Sequence, residues 1–225
     1  MADIKRRTLL AGAAGSAIAF LMPGGTSEDS KPHASYHYQW QNIPPREMIR
    51  RKHLPNVQMV SAEGKKLLFY DDLIKDKKVI INFMFTTCAQ ACPLVTANLV
   101  KVQRILHDRI GHDIFMYSIT LDPEVDTPKR LREYAAMHRT GAGWLFLTAK
   151  PADIELLRRS LGFVQRNPVR DANKTSHIGV IRFGTEACMR WAACPGLAPA
   201  DWIATSVLSE MDSPLKGAVK QEGSI

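Results

Sequence analysis

Residues Lys78-Val79-Ile80-Ile81-Asn82-Phe83-Met84-Phe85-Thr86-Thr87-Cys88-Ala89-Gln90-Ala91-Cys92-Pro93 decide how this chain is read. Lys78 to Phe85 is a continuous β-branched and aromatic run of strand length, the pattern of a strand covered on both faces of a mostly parallel sheet. Two cysteines four residues apart stand where the run ends. Pro93 suits the first turn of a helix. Leu94, Val95, Leu99, Val102, Ile105 and Leu106 then fall on one helical stripe, so the stretch reads as strand, elbow, dithiol and helix.

A cysteine at a helix N-terminus gains thiolate character, because unpaired amides and the positive end of the helix dipole favour an anion there. Cys88 takes that position. Four residues of helix return Cys92 to the same face one turn on, about 6 Å away. That reach permits a disulfide, with adjustment, or two sulfurs on one soft metal ion. The bland alternative is a pair of small buried core residues.

Outward from the elbow the elements alternate. Asn56 to Val60 and Lys65 to Tyr70 flank Gly64 as a hairpin. Asp113 to Leu121 is a second buried strand, and the loop Asp122-Pro123-Glu124-Val125-Asp126-Thr127-Pro128 follows it, with Thr127 capping a helix from Lys129 to His138. Trp144 to Leu147 is a strand, and Pro151 to Leu161 a helix with Ile154, Leu157, Arg158 and Leu161 at helical spacing. Asn167 to Ser176 is polar and irregular, and ends at His177 before the strand Ile178 to Phe183. Ala187 to Ala193 reads as its antiparallel partner, and Pro199 to Met211 as a closing amphipathic helix. This order gives an α/β, thioredoxin-like fold with a central mixed sheet flanked by helices and an N-terminal hairpin.

In such a sheet the segment before the antiparallel strand lies against the cysteine elbow. Two thiolates leave a soft cation two-coordinate, and His177, opening that strand, is the candidate third ligand; a structural or exposed histidine is the alternative. Asp122 and Asp126 are read either as a strand terminator and a residue preceding a helix cap, or as a charged docking or ligand-supporting loop at the same edge. Cys188 and Cys194, if they share one strand, stand about 20 Å apart, too far for a disulfide unless Met189 to Ala193 loops out, and their C-x5-C spacing departs from the usual zinc C-x2-4-C, so they are read as structural or locally paired cysteines.

Composition narrows the function class. The chain has 225 residues, four cysteines and a formal net charge of +8. Four cysteines are too few for a disulfide scaffold of this length but enough for a redox or metal site. Half of the basic excess lies in residues 1–52, with eight Lys/Arg against four Asp/Glu. The remainder is a mildly basic surface with no Arg/Lys stripe interleaved with aromatics, which argues against nucleic-acid binding.

Lys5-Arg6-Arg7-Thr8 followed by the apolar stretch Leu9 to Met22 has the form of an export signal, either a Sec signal or a twin-arginine one. It is shorter than the roughly 20 residues of a bilayer span, yet no clear A-x-A cleavage site follows. Residues 1–25 are therefore read as a signal or a membrane tether, with the body exported to the periplasm in either case. Residues 26–53 read as a linker, and His33 and His37 as linker histidines.

The ordered set Glu63-Gly64-Lys65, Phe69-Tyr70-Asp71-Asp72-Leu73-Ile74, Asn82 to Cys88, Cys92-Pro93, Ser118-Ile119-Thr120-Leu121-Asp122-Pro123, Asp126-Thr127-Pro128 and His177 resembles the Sco/SenC family of thioredoxin-fold copper proteins. The resemblance covers about Asn56 to Met211. Ala89 stands where the family often has proline, and Cys188 and Cys194 lie outside its pattern. The resemblance implies that Cys88, Cys92 and His177 are ligands to one copper ion. It further implies delivery of copper to the copper A centre of cytochrome c oxidase, or to another copper protein. On that reading residues 54–213 are the copper-binding domain, 214–225 a tail, and the protein is primarily a metallochaperone. The alternative is a thiol-disulfide oxidoreductase in which Cys88 attacks and Cys92 resolves, reducing partner cysteines. A thiol peroxidase on the same fold would need threonine and proline where Phe85 and Ile81 stand.

Overall fold

A computed structural model describes residues 43–89 and 91–212. The signal or tether reading of residues 1–25, the linker as far as residue 42 with His33 and His37, and the tail at 214–225 lie outside the described residues.

Seven strands form one mixed sheet in the order β2-β1-β5-β4-β3-β6-β7. β3 (Lys78–Met84), β4 (Ile114–Thr120) and β5 (Trp144–Ala149) are parallel and largely apolar, as strands covered on both faces are. The hairpin of β1 (Gln58–Ser61) and β2 (Lys66–Leu68) adds antiparallel to β5, and β6 (Val180–Thr185) and β7 (Arg190–Pro195) add antiparallel beyond β3.

Alternation along β3 sorts the core into two layers. Ile80 and Met84 pack beneath α2 (Ala91–Leu106), α3 (Pro128–Met137) and α6 (Ala200–Asp212), with Leu99, Leu131 and Val207. Val79, Ile81 and Phe83 face a π-helical turn (Phe69–Ile74) and α4 (Pro151–Ser160), with Phe69, Ile154 and Leu157. Asn82 is the one buried polar residue on β3. Ser118 Oγ donates to its Oδ1 at 2.7 Å and Trp144 Nε1 donates to Ser118 Oγ at 2.9 Å, so this buried polar row spans the three parallel strands with its groups partnered.

Three expectations are corrected. Residues 45–53, read as linker, form helix α1 (Pro45–His53), which opens on proline and carries Glu47 paired with Arg50 and Arg51 one turn on. No residue of α1 is buried, so no apolar period marks it; it is fastened instead by Leu54 in the core and by Arg46 on the buried Glu186. In the polar stretch at 167–176, Asn167 caps a short helix α5 (Pro168–Ala172), accepting from Val169 N and Arg170 N. Cys188 and Cys194 do not share a strand. Cys188 ends a 3-10 turn, Met189 then adopts φ 48°, and β7 begins only at Arg190, so the spacing argument does not apply; no disulfide joins them.

The α2 stripe is also narrower than its spacing suggests. Val95, Leu99, Val102 and Leu106 are buried, whereas Leu94 and Ile105 are 60% and 52% exposed.

Candidate metal and dithiol site

Three segments meet at the carboxyl edge of the parallel strands. β3 runs out at Met84 into the turn that carries Cys88. β4 ends at Thr120 and continues into the Asp122 to Asp126 loop. β6 is antiparallel to β3, with Ile181 opposite Asn82, so its first residues and the preceding His177 arrive at the same edge.

Cys88 is 8% exposed and Cys92 1% exposed, which makes Cys88 the outer sulfur and Cys92 the inner one. Cys88 N donates to Phe85 O at 3.2 Å, closing the elbow, and Cys92 N donates to Cys88 Sγ at 3.4 Å. The first turn of α2 thus directs an amide N–H at the outer sulfur, which suits a sulfur that ligates as an anion. Burial pushes the Cys92 thiol up to about 12. A backbone hydrogen bond with Phe85 works in the other direction, and Cys88 and Asp126 add smaller upward contributions. The inner sulfur is therefore a protonated thiol at neutral pH until something replaces its proton.

Asp126 settles one of the two readings of its loop. It is fully buried, and its carboxylate accepts from Thr86 N at 3.0 Å, from Thr86 Oγ1, and from Thr120 Oγ1 at 2.5 Å. Thr86 lies two residues before Cys88, so a buried carboxylate from one loop pins the entrance to the cysteine turn. Asp122 reaches the third segment, accepting from Lys174 Nζ at 2.7 Å. That pair is substantially solvated and contributes at most about 1 kcal/mol.

His177 ends a 3-10 turn (Lys174–His177) and is 4% exposed. Its Nε2 lies 2.7 Å from the Asp171 carbonyl oxygen, and Arg158 Nη1 lies 3.1 Å from Nε2 and 3.4 Å from Nδ1. The ring borders a cleft of about 660 Å³ lined by Asp122, Glu124, Arg158, Asp171 and Lys174 among others. The three predicted ligands share one edge of the sheet. They do not gather there into a group of three able to hold a metal ion, and no such group occurs among the described residues. Arg158 and Asp171 were not identified as site residues from sequence, although an arginine on the buried stripe of Ile154 and Leu157 was the available signal.

A mixed sheet wrapped by helices, with a cysteine pair at the exit of its central parallel strand and on the first turn of the next helix, is the architecture of a thioredoxin-like dithiol domain. Residues 50–182 match the family described as SCO1/SenC, and the chain belongs to that family. A putative copper-binding protein of Stutzerimonas stutzeri is 26% identical over 132 residues, covering 58% of this chain and 63% of the relative. A SCO1 protein homolog of Bacillus subtilis is 34% identical over 89 residues, covering 39% and 45%. The chain thus spans less than two thirds of the length of these curated relatives.

Solved structures share the fold. Yeast Sco1 with copper bound superposes with a TM-score of 0.56 at 18% identity, covering 72% of this chain and 93% of that one. Arabidopsis thaliana ScoI with copper bound gives 0.53 at 21%, covering 68% and 94%. BsSco, described as a member of the Sco family of cytochrome c oxidase assembly proteins and as containing a disulfide switch, gives 0.56 at 24%, covering 70% and 92%.

Proposed function

We propose that this chain is an exported copper chaperone. Cys88 and Cys92 bind one copper ion as thiolates, neutral His177 is the third ligand, and the cargo is passed to the copper A subunit of cytochrome c oxidase or another copper protein. The observation that carries this reading is the amide of Cys92, in the first turn of α2, aimed at Sγ of Cys88 in the preceding turn at 3.4 Å, which brings the two cysteines together. Thiolates select soft cations, and imidazole is also a good copper donor. The residues fit such a cargo, since Cys92 supplies a shielded sulfur and Cys88 one at the rim where a partner can reach it. The copper-bound relatives support the same assignment. The N-terminal segment acts as export signal or membrane tether; among the described residues no helix is long and apolar enough to cross a membrane.

Titration of the reduced protein with Cu(I) is expected to saturate at one equivalent. Cys88→Ser and Cys92→Ser each abolish that stoichiometric binding. Binding that survives either replacement refutes the dithiolate site.

The difference in exposure between the cysteines supports a second activity on the same pair. The Cys88 thiolate attacks a partner disulfide, forming a mixed disulfide and releasing one partner thiolate. Cys92, losing its proton to solvent, then attacks Cys88 Sγ and releases the second partner thiolate. The partner gains two electrons and the Cys88–Cys92 pair is oxidised. His177→Ala weakens copper binding and spares this exchange; the opposite outcome refutes the division of roles.

A further inference from the structure

A surface helix ordinarily turns its apolar residues inward and its charges to water; α1 does the reverse. Arg46, Glu47 and Arg50 lie on its inner side. Arg46 is bound to the buried Glu186, and the Arg50 guanidinium pairs with Glu47 and stands 5.0 Å over the Tyr70 ring. Pro45, Met48, Ile49 and Lys52, at i, i+3, i+4 and i+7, take the opposite side, with Arg51 beside them. Met48 and Ile49 are 38% and 39% exposed, and no residue of the helix is buried. The only carboxylate of α1, Glu47, is shared between Arg50 and Arg51, so the outer face is apolar and basic together.

Resting on the proposed reading of residues 1–25 as a membrane tether, we infer that this outer face of α1 is a docking surface for anionic lipid headgroups. Apolar side chains interleaved with cations suit such an interface: the former enter the headgroup boundary, and each Lys or Arg adds attraction to a negatively charged surface. A helix of nine residues offers little area by itself. Residues 26–44, however, span at most about 65 Å, so a tethered chain holds α1 at high local concentration above the bilayer, where a weak surface is enough. The docked face leaves the dithiol free. Arg46 fastens α1 to Glu186, whose amide donates to Lys77 O at the amino end of β3. Cys88 lies beyond the other end of that seven-residue strand, about 23 Å along it. Lipid beneath α1 therefore leaves the Cys88 rim open to a partner.

The test uses the full chain on vesicles of mixed phosphatidylglycerol and phosphatidylcholine, and on vesicles of phosphatidylcholine alone. Hydroxyl-radical labelling of methionines is read by mass spectrometry, with Met48 as the probe and Met137, 70% exposed on α3, as the internal control. Labelling of Met48 is expected to fall severalfold on the mixed vesicles only, with Met137 unchanged on both. Each cation near a charged surface contributes about a fivefold factor. Arg51→Glu with Lys52→Glu is therefore expected to weaken the contact by about 25-fold or more and to restore Met48 labelling, while Cu(I) affinity is unchanged; salt at about 0.5 M acts in the same direction. If the chain sediments with both kinds of vesicle and Met48 is labelled equally on both, the docking surface is refuted and the tether stands. A chain that does not sediment with neutral vesicles refutes the tether; if Met48 is then also unprotected on mixed vesicles, the docking surface falls with it. Protection that appears without vesicles as protein concentration rises assigns the face to a second copy of the chain and overturns lipid docking.

Discussion

Replacing Asp126 with alanine tests the claim that one buried carboxylate holds the cysteine turn in place. The side chain is fully buried and accepts three hydrogen bonds, two from Thr86 and one from Thr120. Its removal takes the acceptor from two donors of the half-buried Thr86 and from the buried Thr120 hydroxyl. The Thr86 amide cannot reorient, whereas the Thr120 hydroxyl already accepts from Asp122 N at 2.9 Å and keeps one partner. At about 1 to 3 kcal/mol per stranded buried group, with one of the three partly compensated, Asp126→Ala is expected to cost about 3 to 5 kcal/mol. In urea unfolding, with a slope of about 2 kcal/mol/M for a domain of this size, the midpoint falls by about 1.5 to 2.5 M with the slope unchanged. Thr86→Val removes one hydroxyl and keeps the amide. Because both changes act on one network, the double variant is expected to be less destabilised than the sum of the singles by about 1 kcal/mol. Copper affinity of the folded Asp126→Ala protein falls as well, since Thr86 leads into Cys88. A loss below about 1 kcal/mol, or strict additivity with Thr86→Val, refutes the role assigned to Asp126.

Two further predictions follow from buried titratable groups. Burial raises Cys92 from an ordinary value of 9.0 to about 12, so its stabilising contribution is complete below pH 9.0 and is lost as pH rises towards 12. Ultraviolet thiolate absorbance and unfolding midpoints across that range check this, and calorimetry in buffers of different ionisation enthalpy should register the Cys92 proton released on copper loading; deprotonation of Cys92 below pH 9 contradicts it. For Glu186, burial acts to raise the carboxyl pKa. Hydrogen bonds from Arg46, the Asp76 amide and Tyr70 outweigh it, holding the group below its ordinary 4.5. That stability is present above about pH 4.5 and is lost as pH falls through the lower folded value. Arg46→Ala is expected to cost about 2 kcal/mol in thermal unfolding and to speed amide exchange at residues 186–188; exchange unchanged there would mean that α1 is not fastened through Glu186.

The fold is legible in this sequence where burial imposes a period. Lys78 to Phe85 and Asp113 to Leu121 read as parallel core strands because both faces are covered, which removes polar alternation and leaves a continuous apolar run. Helix α1 escaped notice for the converse reason. It buries none of its residues and is held by Arg46 and the adjoining Leu54, so its sequence carries charge pairs but no stripe. Spacing named Leu94 and Ile105 as members of the α2 stripe, but spacing gives only the angle around a helix, and α6 and the sheet do not extend over that flank.

The site divides along the same line. The cysteine pair itself is local information: a strand exit and a four-residue separation put Cys88 in the turn after β3 and Cys92 in the first turn of α2, although the turn is held from elsewhere by Asp126. The D-P-x-x-D loop could be named from sequence but not interpreted. Only the parallel pairing of β3 with β4 brings the carboxylate of Asp126 against Thr86, and the ambiguity between cap and support ends there. For His177 the sequence supplied the residue and its edge of the sheet, because antiparallel register with β3 follows from strand order. The direction of its ring was decided by Arg158 and Asp171, which lie 19 and 6 residues away in sequence and meet only when α4 and α5 pack together. A buried imidazole turns to whichever partners satisfy both nitrogens, and those partners are a property of the packed structure.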